Sequence, residues 1–205
     1  MVALTLDDIG WEQDILHVTR PKQRCKQDYV RTAPLPPRAP KCQSVFTGYI
    51  YSEDEIRRLL HAAAARARYN IDAPTSRTLL LLLYATGLRI GEALNLNLAD
   101  VDLNECVLQI RETKFYKTRL VPAGTDLTQV LREYALLRYR RSPLDPDAPF
   151  LLTRWGQRVS RAGAEEAFKQ LREQAEVRRV DGARYQPRLH DLRHAFAVTR
   201  LVRRR

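Results

Sequence analysis

The chain has 205 residues, a hydrophobic fraction of 44% and a formal net charge of +11 at neutral pH. That length suits one ordinary domain with an appendage, and the longest apolar run, LLLLLYA at 79–85, falls far short of the ~20 residues of a membrane span. The positive surplus favours a polyanionic partner, nucleic acid first, while Cys25, Cys42 and Cys106, with no Cys-x-x-Cys spacing, argue against a disulfide framework or a metal site.

Taken in chain order, residues 1–48 read as an irregular arm or linker: RTAPLPPRAPK at 31–41 is rich in proline and no amphipathic period runs through it. The opening MVALTLDDIGWEQD has acidic residues where a secretory signal needs a basic start and an apolar run, so a cytoplasmic protein is expected. Within the arm, LDDIGWEQDILHVTRPK at 6–22 matches LADVDLNECVLQIRETK at 98–114 without a gap, Leu6 with Leu98, Asp8 with Asp100, Leu16 with Leu108 and Lys22 with Lys114. Chance similarity between strand-like sequences and a duplicated gene fragment both account for the match.

Order is expected from YIYSEDEIRRLLHAAAARA, where Ser52 and Glu55 have capping-box spacing and Ile56, Leu59, Leu60 and Ala63 recur at helical period. A second helix, TSRTLLLLLYATG, is apolar nearly all round and therefore central, and Gly87 is placed to end it. Helix resumes at RIGEALNL. Two strand-like pieces, CVLQIRE and TRLVP, joined by the basic TKFYK, predict a hairpin. Thr125 is placed to cap DLTQVLREYALLRYRR, a strand is expected at FLLT, a turn at Gly156, and Ser160 is placed to cap a helix running to about Glu176. The closing helix carries LHDLRHAFA, a polar cluster set among apolar residues.

The chemistry-bearing residues fall in three places: Arg89 after the break in ATGLRIGEAL, Lys114 in the hairpin ETKFYKTRLVP, and His190 with Arg193 as His-x-x-Arg near the end. The set suits a phosphodiester. Arginine presents a planar fork that pairs bidentately with phosphate oxygens, so two arginines from two elements hold both non-bridging oxygens. A lysine on a hairpin reaches a leaving oxygen, and a histidine titrates near neutrality. Duller roles compete: Arg89 as a cap on the carbonyls of the preceding helix, His190 as a core histidine, Lys117 in place of Lys114. His194 either approaches the phosphate or fills a polar gap, and Glu92 and Asp191 read as buttresses for the arginines or the backbone.

In TGLRIGEALNL, TKFYKTRLVP and LHDLRHAFA, in that order over roughly residues 49–200, the chain resembles the catalytic domain of the tyrosine recombinases, the phage integrase family. The resemblance implies an α+β fold, mainly helical with a small antiparallel sheet, over 49–205. It implies phosphate binding by Arg89, His190 and Arg193, general acid catalysis by Lys114, and attack on phosphorus by a tyrosine to give a 3′-phosphotyrosyl link. No metal or nucleotide cofactor is implied. Two departures follow. The Gly-His segment and the tyrosine that the family carries after His-x-x-Arg are missing, since no tyrosine follows Tyr185, and residues 1–48 are too few and too proline-rich for the family's preceding helical domain. The expectation is a truncated DNA integration and recombination protein of a mobile element, without a nucleophile and inactive alone, whose partners are duplex DNA and an intact recombinase relative. The alternatives are a non-catalytic DNA-binding module or gene relic that competes with an intact integrase, and a basic helical nucleic-acid-binding protein unrelated to recombination.

Overall fold

A computed structural model of the chain describes residues 48–65, 70–111, 118–141, 145–183 and 185–202. The proline-rich arm and its match to 98–114 lie outside the described residues apart from Gly48, and so do Lys114 and Lys117. Helix α1 (Glu53–Ala64) starts where the sequence places it: Ser52 Oγ accepts the Glu55 amide at 3.2 Å and Glu55 Oε2 accepts the Ser52 amide at 2.9 Å, so two amides left over at the helix start are satisfied reciprocally.

Helix α2 (Ala73–Thr86) is the centre of the domain, packed by α1, by α4 (Thr125–Tyr139) and by α6 (Asp191–Val202). Its run of leucines explains the position. Leu79, Leu80, Leu82 and Leu83 are all buried, which a helix surrounded on several sides permits and a surface helix does not. Each contributes roughly 2 kcal/mol by leaving water. The buried polar groups at the start of α2 are matched: Asp72 caps the Thr75 amide at 3.2 Å and pairs with Arg141 at 2.6 Å, while Thr75 Oγ1 donates to the Leu152 carbonyl at 2.9 Å beside the Tyr134 hydroxyl.

Gly87 ends α2 at φ 63°, a left-handed conformation that costs an L side chain about 1–2 kcal/mol. A Cβ there would also run into the Phe196 ring, so the close crossing of α2 and α6 depends on glycine twice over. After this turn comes the five-residue α3 (Ile90–Leu94), then a 3-10 turn at Leu98–Asp100. An antiparallel sheet follows in the order β1 (Val101–Asp102), β2 (Val107–Ile110), β3 (Arg119–Pro122), with Ile110 opposite Arg119. The hairpin was expected. The short β1 was not, because two residues carry no alternation to read.

Three local expectations change. Thr125 is the first residue of α4 rather than its cap; Gly124 holds the cap position and Thr128 Oγ1 returns a bond to its carbonyl at 3.1 Å. The expected strand at FLLT is reduced to isolated bridges, Asn97 with Pro149 and Leu152 with Arg158, because its amides and carbonyls are taken by Leu96, Tyr134 and Thr75. Helix α5 (Arg161–Gln174) is capped by Ser160 as expected but stops two residues early, with Glu176 at φ 53°. The result is an α+β domain, mainly helical, with a small antiparallel sheet on one side of the α2–α3 junction.

Candidate functional site

The α2–α3 junction, the start of β3 and the start of α6 meet at one corner. Arg89 is the N-cap of α3 and its side chain is half exposed. Its backbone amide donates to Glu92 Oε2 at 2.9 Å and its Nη1 donates to Glu92 Oε1 at 3.0 Å. From β3, Arg119 reaches the same carboxylate as a two-pronged fork, Nη1 to Oε1 at 3.2 Å and Nη2 to Oε2 at 2.8 Å. Burial pushes the Glu92 carboxyl up, but hydrogen bonds from Arg119 and from the Arg89 backbone and side chain outweigh it and hold the group below the usual carboxylate range. Glu92 therefore stays ionised.

Arg193 approaches from α6 and donates from Nη1 to the Gly87 carbonyl at 2.6 Å. The capping of α2's last carbonyls, weighed in the sequence as a role for Arg89, is thus performed by Arg193. Burial and the neighbouring cations Arg89 and Arg119 work against the proton on Arg193, and Glu92 supports it. Arg89, Arg119 and Arg193 accordingly sit within electrostatic reach of one carboxylate.

His190 stands in the turn just before α6 rather than inside the helix, which begins at Asp191. The reason is a cap: the Asp191 carboxylate accepts the Arg188 amide at 2.8 Å and closes the turn over residues 188–191. Tyr51, fully buried, holds the same turn from α1's side by donating to the Arg188 carbonyl at 2.9 Å. His190 is exposed, its ring edge-on to His194 at 5.4 Å between centroids. Its pKa is lowered, first by burial of part of the ring and then by the His194, Arg193 and Arg188 charges. At neutral pH the imidazole is uncharged. The His194 ring also lies close to the backbone at Gly48.

An open groove of about 910 Å³ runs over this corner, lined by Arg89, Glu92 and His190 at one end and by Asn95, Gln109, Arg111, Thr118 and Arg158 beyond. A second groove of about 510 Å³ shares Ile90, Arg161 and His190 with the first and adds Lys169, Arg172 and Arg188. Of the four residues singled out in the sequence, the structure brings Arg89, His190 and Arg193 to one corner; Lys114 lies outside the described residues. Sequence reasoning assigned no role to Arg119, although it stood in the quoted TKFYKTRLVP. The signal was available in the strand period: Arg119 shares a side of β3 with Val121, and an arginine on the less exposed side of a strand needs a carboxylate.

Tyr49, Tyr51 and Tyr134 are committed elsewhere, while Tyr139 and Tyr185 are exposed. Tyr49 donates to Glu55 at 2.5 Å and its pKa is pushed up to about 12 by burial and that carboxylate, while burial raises Tyr51 and Tyr134. Raised hydroxyls with fixed acceptors are poor attackers. No group of histidine, cysteine and carboxylates able to hold a metal occurs among the described residues, and none of the described helices is long and apolar enough to cross a membrane.

A domain of this architecture with arginines and a histidine gathered over an open basic groove has the form of a recombinase catalytic core. The chain belongs to the phage integrase family, whose model matches residues 50–205. It is 41% identical over 160 residues to y4rB of Sinorhizobium fredii, a chain that carries an integrase/recombinase name, and the match covers 76% of this chain and 51% of that one. It is 34% identical over 167 residues to the tyrosine recombinase XerD of Bifidobacterium longum, covering 78% and 52%. Among solved structures, the XerH site-specific recombinase bound to palindromic difH substrate superposes with a TM-score of 0.60 at 22% identity, over 76% of this chain and 42% of that one. The chain spans about half the length of the curated relatives it matches.

Proposed function

We propose that this chain carries the phosphate-holding part of a tyrosine-recombinase active site and acts on duplex DNA in integration and recombination of a mobile element. The observation that carries the reading is the charge balance at the corner: two guanidinium groups, Arg89 and Arg119, bond one carboxylate, Glu92, and a third, Arg193, held by the Gly87 carbonyl, lies within electrostatic reach of all three beside the uncharged His190. Uncompensated cations packed this closely are costly without an anion, and a phosphodiester supplies one with oxygens that match the arginine fork. The DNA-bound state of XerH supports the choice of duplex, and the basic grooves extend the positive surface past a single phosphate.

In this reading Arg89 and Arg193 hold the non-bridging oxygens, and His190 donates to or orients the phosphate. Lys114 protonates the leaving 5′ oxygen as a tyrosine oxygen bonds to phosphorus and the phosphorus to 5′-oxygen bond breaks. None of this requires a metal. Residues 186–205 contain no tyrosine, and the attacking hydroxyl is assigned to no residue of this chain. A suicide DNA substrate tests the assignment. The 205-residue polypeptide forms no covalent adduct alone, and a relative donating its tyrosine in trans restores an adduct that Arg89→Ala abolishes. An adduct formed by the polypeptide alone would show that one of its own tyrosines attacks.

Duplex binding is the second test. The logarithm of affinity falls by roughly 0.9 per neutralised phosphate for each log unit of salt. A flat response sinks the DNA reading.

A further inference from the structure

Glu92 is saturated. A carboxylate has about four lone-pair sites, and this one accepts four donors: Oε1 from Arg89 Nη1 and Arg119 Nη1, Oε2 from the Arg89 amide and Arg119 Nη2. Two of the four come from a single fork, that of Arg119, which engages both oxygens at once and so fixes the plane of the carboxylate. Arg89 contributes one bond from its side chain, and its Nη1 meets Oε1 only while that plane is held.

The two arginines reach Glu92 from different elements. Arg89 and Glu92 both belong to the α2–α3 junction, and α3 has only five residues, too short to hold its own geometry without tertiary contacts. Arg119 starts β3 and is paired across the sheet to Ile110, which is buried. The groove is lined by Arg89 and Glu92, and Arg119 meets both of the Glu92 carboxylate oxygens.

We infer that Arg119 is a positioning residue for Arg89, acting through Glu92, so that a contact from the sheet helps set where the Arg89 guanidinium meets the phosphate. This rests on the reading of the corner as a phosphodiester site. Arg119 has a second effect of the same sign: it neutralises part of Glu92, which otherwise cancels the charge of Arg89 alone.

Arg119→Lys separates geometry from charge, because lysine keeps the cation and loses the planar fork. The full 205-residue protein is titrated with inorganic phosphate while the Arg89 Nε–H resonance is followed, and urea unfolding is measured on the same samples. Arg119→Lys is expected to shift the Arg89 resonance in the unliganded protein and to weaken phosphate about tenfold, the loss of roughly one charge-assisted contact. In a Glu92→Gln background the same substitution is expected to have no further effect, since the path is already cut. Additive losses in the double variant would make Arg119 a direct anion contact and overturn the inference. Unchanged phosphate affinity with lowered stability would reduce Arg119 to a structural ion pair and overturn it as well. If Glu92→Gln does not fold, Arg119→Lys alone decides, an unmoved Arg89 resonance being the overturning result. A wild-type protein that binds neither phosphate nor duplex removes the functional reading and this inference together, whereas intact wild-type binding with an indifferent Arg119→Lys removes only the inference.

Discussion

Two arginine environments in this molecule are built on opposite terms. At the groove corner, Arg89, Arg119 and Arg193 keep part of their surface exposed and are tied to Glu92 or to the Gly87 carbonyl, and Arg89 retains donors for an incoming anion. On α4, Arg138 is 1% exposed; its Nε donates to the Pro149 carbonyl at 3.0 Å, and Nη1 and Nη2 are buried without a hydrogen-bond partner among the described residues. Burial lowers its pKa, as expected for a cation without a carboxylate beside it. The corner spends its carboxylate on cations that face a ligand, while α4 uses an arginine as a long apolar stem with a poorly satisfied head. The contrast shows that charge alone does not mark a site in so basic a chain. What marks it is cations held in place yet left with donors to spare.

The largest expected effect lies at Glu92. Glu92→Ala leaves two part-exposed guanidinium groups without their carboxylate, and by the loss of two charge-assisted contacts it should lower unfolding free energy by about 3 kcal/mol in urea titrations. Gly87→Ala comes next, at about 2 kcal/mol or more, since it combines a left-handed backbone with intrusion into Phe196. Arg89→Ala should cost about 1.5–3 kcal/mol in duplex binding, reduce the salt slope by about 0.9, and leave the urea midpoint nearly unchanged because the side chain is half exposed. Arg138→Met sharpens the comparison from the other side. It should change stability by less than about 1.5 kcal/mol, in the stabilising direction, because a well-packed apolar stem replaces unsatisfied donors. If Glu92→Ala is harmless and Arg138→Met is severe, the assignment of roles to the two environments is reversed.

The smallest effect concerns pH. The folded-state pKa of His190 is lowered, so the unfolded chain binds more protons and stability rises with pH across the histidine range. His190→Gln should flatten that rise slightly between about pH 5.5 and 7. A bound phosphate reverses the sign at this residue, since an anion favours the imidazolium; histidine resonances followed through a pH titration should show a higher His190 pKa with DNA than without.

The helix starts at Ser52 and Ser160 and the stop at Gly87 were legible in the sequence because capping is a local bond between neighbours, and the centrality of α2 was legible because five consecutive leucines leave no face for water. The three motifs, read with their order, gave the family and the fold, and Arg89, His190 and Arg193 as candidates. What the tertiary structure decided is how those candidates are held. That Arg193 rather than Arg89 caps α2 and that Arg119 shares Glu92 with Arg89 depend on contacts between residues 106 and 27 positions apart. A periodicity or a motif reports which side of an element is buried; it does not report which distant carboxylate or carbonyl that side will meet, because the meeting is fixed by how α2, β3 and α6 cross.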